Sequence, residues 1–334
     1  MRIAVDAMGG DHAPREIVAG VVKGARELEG IDCIYLVGDE AKVRAELDSI
    51  NGVPPFIEIV HASEVIGMDE SPLSAVRTKK DASINRAVEL VKKGEADAVF
   101  SAGSTGAAVT AATLKLGRIK GISRPAIATV FPTPVTPFVL VDAGATPDCD
   151  GKVIAQFGLM GSIYAESILG VESPRIGTLS IGEEDAKGND SSKEAFRILD
   201  SSKLNFLGNV ESRDLFAGKV DVAACDGFVG NVVLKTSEAV AKTMRSWFRE
   251  EFTRTPLRKV GALMLKGALK EIKAKSDPEA YGGAYLLGVN GTVIIGHGSS
   301  SAKAVRNAMQ VAVNGTKHRI NDRIASEVAQ LEND

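Results

Sequence analysis

The chain has 334 residues, 44% hydrophobic and 25% charged, and its 40 basic against 43 acidic side chains leave a net charge of −3. That balance excludes bulk disorder and a nucleic-acid binder that works through overall positive charge. Three cysteines, Cys33, Cys149 and Cys225, give neither a C-x-x-C pair nor an even set, which argues against a disulfide framework or a zinc site and fits a reducing cytoplasm. MRIAVDAMGG reaches Asp6 after a few apolar residues, and no run approaches ~18 uncharged apolar positions, so neither a signal peptide nor a membrane span is expected.

In chain order, the patterns predict a strand at 2–7, a helix at 14–28, strands at 33–37 and 56–60, a helix at 78–92, a strand at 98–101 and a helix at 104–116. Strands follow at 126–130 and 138–141, then a helix at 152–169 and strands at 175–181 and 220–225. A helix at 231–252, a strand at 292–295 and a helix at 301–331 complete the series. Strands alternating with helices imply an α/β protein with a mainly parallel sheet and helices on both faces. The whole of 1–334 reads as one α/β unit, with the charged loop 183–190 as the candidate boundary between two subdomains.

Ligands of such sheets sit beyond the carboxyl ends of strands, so the loops that follow each strand carry the functional signal. They are rich in glycine, which makes up 34 residues, and in small hydroxyls. Ser101-Ala-Gly103-Ser104-Thr105-Gly106 precedes a helix and offers N–H groups, hydroxyls and a helix-dipole end that suit a phosphate. The alternative is a tight turn with Ser104 or Thr105 as helix cap. Neither the Walker nor the Rossmann glycine pattern is met, which disfavours ATP hydrolysis and simple NAD binding. Gly296-His297-Gly298-Ser299-Ser300 repeats the arrangement and adds an imidazole that can donate to an anion or exchange a proton, or else closes a turn. His12 lies among Gly9, Gly10 and Asp11. Asp226 and Asn231 flank a strand-to-helix junction with Lys235 one turn on, where an amide can orient a carbonyl and an ammonium can neutralise a phosphate, or where a capped helix simply begins. Cys225 ends a buried-looking strand, which disfavours it as a nucleophile.

Residues 235–275 carry a net charge of +7, leaving −10 elsewhere. After Thr255-Pro256, Leu257, Val260, Met264, Leu265, Ala268 and Ile272 fall on one side at helical spacing, with Lys259, Lys266, Lys270 and Lys273 on the other. Such a basic amphipathic helix suits a dimer interface, an anionic membrane surface or an acidic partner.

Taken together, DAMGGDHAP at 6–14, SAGSTGA at 101–107, VDAGA at 141–145, IGEE at 181–184, CDGFVGNVVLKTSE at 225–238 and GGAYLLGVNGTVIIGHGSS at 282–300 resemble the phosphate acyltransferases of bacterial phospholipid synthesis, the PlsX family. The resemblance runs essentially the whole chain. It implies reversible transfer of a fatty acyl group from acyl carrier protein to inorganic phosphate on a homodimer with a phosphotransacetylase or isocitrate dehydrogenase-like fold; no cofactor is expected, and without a clustered ligand set in the sequence no metal is expected either. The acyl phosphate would pass to a membrane glycerol-3-phosphate acyltransferase, which implies a cytoplasmic protein peripherally associated with an anionic membrane surface. On these motifs, Ser101, Gly103, Ser104, Thr105, Ser299 and Ser300 are assigned to phosphate, and His12, Asn231, Lys235, His297 and Asp226 to catalysis, with Asp226 in an orienting part. Asp6 and Asp11 orient their neighbours. Leu257, Val260, Met264, Arg258, Lys259, Lys266 and Lys270 are assigned to membrane or carrier contact, with the same helix offering an apolar path for the acyl chain. Thr146, Ser212 and Tyr285 depart from the family pattern. The alternatives are a coenzyme A-dependent phosphotransacetylase and a non-catalytic carrier or membrane scaffold.

Overall fold

The computed structural model describes residues 1–275 and 277–331. Among these, eleven strands form one sheet: β1 (Arg2–Asp6), β2 (Cys33–Gly38), β3 (Ile57–His61), β4 (Ala98–Ser101), β5 (Ala126–Phe131), β6 (Phe138–Val141), β7 (Ile176–Leu179), β8 (Phe206–Val210), β9 (Val222–Ala224), β10 (Ala284–Leu287) and β11 (Thr292–Ile295). Their order across the sheet is β3-β2-β1-β4-β11-β10-β5-β6-β9-β7-β8. β1, β2, β3, β4 and β11 are mutually parallel. β10 runs against both β11 and β5, so β5 points the same way as β11. β6 turns back on β5, and β9, β7 and β8 follow β6. The sheet is thus two parallel blocks of opposite direction, joined through β10 and β5.

Successive residues of the central strands feed different cores. Ile3, Val5 and Phe100 face one apolar cluster, and Ala4 and Val99 face another, so both sides of the strands are covered and they lack polar alternation. On the first face, α1 (Arg15–Glu27) lies against α12 (Ala302–Lys317). A Cβ on Gly20 would stand 2.5 Å from the Val305 Cβ, so only glycine lets the two helices approach this closely. The second face is covered by α4 (Ser83–Lys92) and α5 (Thr105–Lys115), whose Ala107, Ala108, Ala111 and Ala112 are buried. The α/β architecture agrees with the expectation from sequence.

Several boundaries differ. The predicted helix 78–92 begins at Ser83, after a separate α3 (Pro72–Thr78). Helix 152–169 is α6 (Gly151–Tyr164) continued by a π-helical turn, Ala165–Leu169. Helix 301–331 breaks at Arg319, which takes φ 51°, into α12 and α13 (Ile320–Leu331). The basic segment is two helices, α10 (Pro256–Met264) and α11 (Lys266–Lys275), interrupted at Leu265. Elements without a sequence counterpart are α2 (Glu40–Asp48), α7 (Asp190–Asp200), α8 (Ser212–Phe216), β8 and β10. The loop 183–190 lies between β7 and α7.

α9 (Gly227–Thr253) has 27 residues and so runs about 40 Å. Its first turns lean on the core through Val229, Val233 and Leu234, while residues 239–251 are exposed along their length. α10 packs back on α9, where Arg258 pairs with Glu251. Among the described residues no helix is long and apolar enough to cross a membrane.

Candidate active site

Three loops leave the carboxyl ends of the neighbouring parallel strands β1, β4 and β11 and touch through glycine backbone. A Cβ on Gly9 would lie 2.7 Å from the Gly103 nitrogen, and Gly10, at φ 115°, faces the Gly298 carbonyl. Asp11 N–H donates to that same carbonyl at 2.7 Å. These contacts need glycine at Gly9 and Gly10, one by space and the other by conformation.

Beneath them Asp6 is buried, accepting from Ser101 Oγ at 2.7 Å and from Met8 N–H at 3.2 Å. Burial pushes its carboxyl up, and bonds from Ser83, Ser101, Met8 and Gly9 offset part of that rise. Ser101 Oγ in turn accepts Gly103 N–H at 3.1 Å. Ser101 and Gly103 therefore spend these groups on one another and on Asp6, forming the floor of the site. Ser104 caps α5, accepting from Ala107 N–H at 3.4 Å. Thr105 is exposed at the first position of α5, at the positive end of its dipole. A small, partly open space of about 10 Å³, the size of one water, lies here, with Asp6, Ser83, Ser101 and Ser104 on its polar side and Val65, Ile66, Ile84 and Ala107 on its apolar side.

In the β11 loop His297 is exposed. Its Nδ1 accepts Ser299 N–H at 3.2 Å and stands 2.8 Å from Ser299 Oγ, while Nε2 faces Glu238 Oε2 at 4.0 Å. An Nδ1 that accepts leaves the proton on Nε2. Ser300 is buried and closes the turn, giving both N–H and Oγ–H to the His297 carbonyl, so Ser299, against His297 Nδ1, is the solvent-facing one of this pair. His12 and Asp11 are exposed just before α1.

A second group forms where β6 meets β9. Asp142 is fully buried and accepts four backbone N–H groups, from Ile127 (2.8 Å), Gly144 (3.0 Å), Ala145 (3.0 Å) and Thr146 (2.6 Å). Burial pushes this carboxyl up, against the pull of those donors. Asp226 caps α9 by accepting Val229 N–H at 2.9 Å, and Gly227 N–H donates to the Thr146 carbonyl at 2.9 Å. A Cβ on Gly144, at φ 133°, would be 3.4 Å from the Asn231 Cβ, which seats Asn231 on that loop. Asn231, Lys235 and Glu238 then follow one face of α9, about 10 Å from end to end. Lys235 Nζ donates to Glu238 Oε2 at 2.9 Å, the same oxygen that faces His297. The two groups belong to strands of opposite direction, and α9 is what joins them.

Asp142 and Glu238 are the residues missed from sequence. Glu238 carried a signal, an acid three positions from Lys235; the role of Asp142 depends on β5, which no local pattern places beside it. Cys225 is buried, and burial together with the Asp226 and Asp142 charges holds its thiol well above the ordinary range, unsuited to a thiolate. Two departures from the family pattern have packing reasons. Tyr285 is buried against Tyr164 with its hydroxyl 3.1 Å from Thr292 Oγ1, and Thr146 Oγ1 donates to the Pro125 carbonyl at 3.0 Å. Ser212 begins α8, which a capping box between Glu211 and Asp214 closes at its start. In the basic segment both the apolar residues Leu257 (81% exposed), Val260 and Met264 and the cations Arg258, Lys259, Lys266 and Lys270 face solvent.

A family model described as fatty acid synthesis protein matches residues 1–323. The phosphate acyltransferase of Pelotomaculum thermopropionicum is 52% identical over 332 residues, covering 99% of this chain and 96% of that protein. That of Nostoc punctiforme is 49% identical over 330 residues, covering 98% and 96%. Among solved structures, a phosphotransacetylase from Streptococcus pyogenes superposes with a TM-score of 0.65 at 17% identity, covering 95% of this chain and 94% of that one, a likeness of fold.

Proposed function

This chain belongs to the phosphate acyltransferase family, and from that premise we infer that it transfers a fatty acyl group from acyl carrier protein to inorganic phosphate. A phosphate oxygen attacks the thioester carbonyl carbon, the new C–O bond forms, and the C–S bond breaks to release the carrier thiolate, which takes up a proton. Phosphate brings its own nucleophilic oxygens, so the protein has to bind, orient and neutralise rather than to activate a serine or cysteine. Thr105, the first turn of α5 and Ser299 hold the anion. Asn231 orients the carbonyl, Lys235 offsets the developing charge, and His297 donates a hydrogen bond from Nε2–H to the departing sulfur, whose proton comes from water, with His12 at the rim. Asp6, Asp11 and Asp226 hold the loops that carry these groups. The observation that supports this reading is Glu238, whose Oε2 accepts from Lys235 on α9 at 2.9 Å and lies 4.0 Å from His297 Nε2 of the β11 loop, so that the α9 face and the cradle are neighbours.

The exposed apolar stripe of α9 and α10 supports two further parts of the reading. Val240, Met244, Trp247 and Phe248 on α9 and Leu257, Val260 and Met264 on α10 are open to solvent, more than a soluble monomer commonly exposes together. A second copy covers part of this surface in a homodimer. The basic, apolar tip rests on an anionic membrane surface, from where the acyl phosphate reaches a glycerol-3-phosphate acyltransferase. The same cations attract an acidic carrier protein. The protein works in the cytoplasm in this scheme.

The test is incubation with palmitoyl-acyl carrier protein and radiolabelled phosphate. Labelled acyl phosphate appearing with free carrier thiol supports the reading. Product from acyl-coenzyme A alone assigns a phosphotransacetylase instead, and carrier binding without turnover assigns a scaffold.

A further inference from the structure

The segment between β3 and α3 lies across the cradle without having entered the scheme above. It is held firmly: Ser63 N–H donates to Asp81, Ser83 N–H to the Glu64 carbonyl, Gly67 N–H to Glu70, and Lys79 Nζ to both the Val65 carbonyl and Glu70. From this fixed backbone Ile66 turns inward to the small space, which Val65 also lines, while Val65, Met68 and Leu73 remain 40%, 53% and 48% exposed. Met68 of this segment and Pro72 at the start of α3 rest on glycines of the cradle. A Cβ on Gly298 would be 2.9 Å from the Met68 methyl, and one on Gly106 would be 2.6 Å from the Pro72 ring. The apolar side chains thus begin against the residue between His297 and Ser299 and at the first turn of α5, where the reacting carbonyl has to sit.

We propose that Val65, Met68 and Leu73 form the surface that receives the fatty acyl chain, an unbranched, uncharged alkyl chain leaving the carbonyl at the cradle. This deepens the transfer reading and rests on it. The occupant follows from position and chemistry. The carbonyl end of the substrate is held by polar groups, the carbons next to it carry no charge, and Val65 and Met68 flank those polar groups, with Leu73 following Pro72 on α3. The exposed apolar residues of α9 are Phe228 and Val232 at its Asn231 end and the stripe from Val240, which leads away beyond Glu238, whereas Met68 rests against Gly298, between His297 and Ser299. Binding of an alkyl chain here gains with each methylene covered, so the surface sets chain-length preference and leaves the chemistry at the carbonyl untouched.

The experiment is the triple variant Val65→Ser, Met68→Ser, Leu73→Ser, assayed with hexadecanoyl and hexanoyl acyl carrier protein. All three positions are exposed, and circular dichroism checks that the fold is kept. The expected result is a loss of about tenfold or more in kcat/KM for the hexadecanoyl donor with less than about twofold change for the hexanoyl donor. An unchanged ratio between the two donors, whether both rates stay or both fall, overturns the proposal. If the unaltered protein forms no acyl phosphate from any donor, the transfer reading fails separately. Calorimetry with hexadecylphosphonate and hexylphosphonate then decides the alkyl surface: selective weakening of the longer probe in the variant supports it, and equal binding by both proteins overturns it.

Discussion

Asp221, at the foot of β9, takes the N–H, Nε–H and Nη2–H of Arg175 at 2.8, 2.9 and 2.8 Å and so fixes where β7 begins beside β9. Burial pushes its carboxyl up, but the Arg175 bonds outweigh that and hold it below the usual carboxylate value. A carboxyl lowered in the folded state adds stability above its unfolded pKa of about 3.9, and that stability is lost as pH falls through the folded value. Asp221→Asn should therefore cost about 2 kcal/mol at neutral pH, the partial exposure of Arg175 keeping it under the figure for a fully buried pair. Urea unfolding from pH 7 down to pH 2 should show the gap between parent and variant closing only below about pH 4. A gap that stays constant across that range sinks the assignment. At this scale the sequence names groups but not the direction in which they point. Ser101 is legible as a hydroxyl in a glycine loop, yet its partner is Asp6, 95 positions away, and only that contact turns it from anion donor to floor.

Strands with β-branched or aromatic runs beside a clear turn are the legible ones: 98–101, 138–141 and 292–295 match β4, β6 and β11 residue for residue. β8 and β10 escape because Phe206–Val210 contains a glycine at φ 100° and Ala284–Leu287 lies between glycines of positive φ, Gly282 and Gly283 before it and Gly288 after it. Their strand character comes from the neighbours that pair with them, a tertiary effect. The start of α9 allows a test in which sign alone decides. Glycine to alanine inside a helix ordinarily stabilises by about 1 kcal/mol. At Gly230 the added Cβ would fall 1.8 Å from the Asp142 carbonyl oxygen, so α9 has to lift off the β6 loop that seats Asn231. Gly230→Ala should lose about 3 kcal/mol or more in thermal or urea unfolding and lower kcat together with it. A variant as stable as the parent would remove the packing argument.

On the scale of the molecule, polar chemistry is concentrated at the sheet, while the exposed apolar surface gathers on α9 and α10. Leu257→Glu should cut recovery on sedimented anionic vesicles by about half or more and leave acyl phosphate formation from dissolved substrates close to the parent rate. Equal vesicle recovery removes the membrane part of the reading. The order of strands has a different consequence, one for the birth of the protein rather than its work. β10 and β11, residues 284–295, stand between β4 and β5, so the last strands made are the ones that join the two halves of the sheet. Until a ribosome has released that hairpin, a growing chain carries β4 and β5 as two raw edges, each able to pair with a neighbouring nascent chain. Completion of the sheet is therefore a late, long-range event, and a chain stopped just short of residue 284 should be captured by chaperones or aggregate rather than persist as a smaller folded protein.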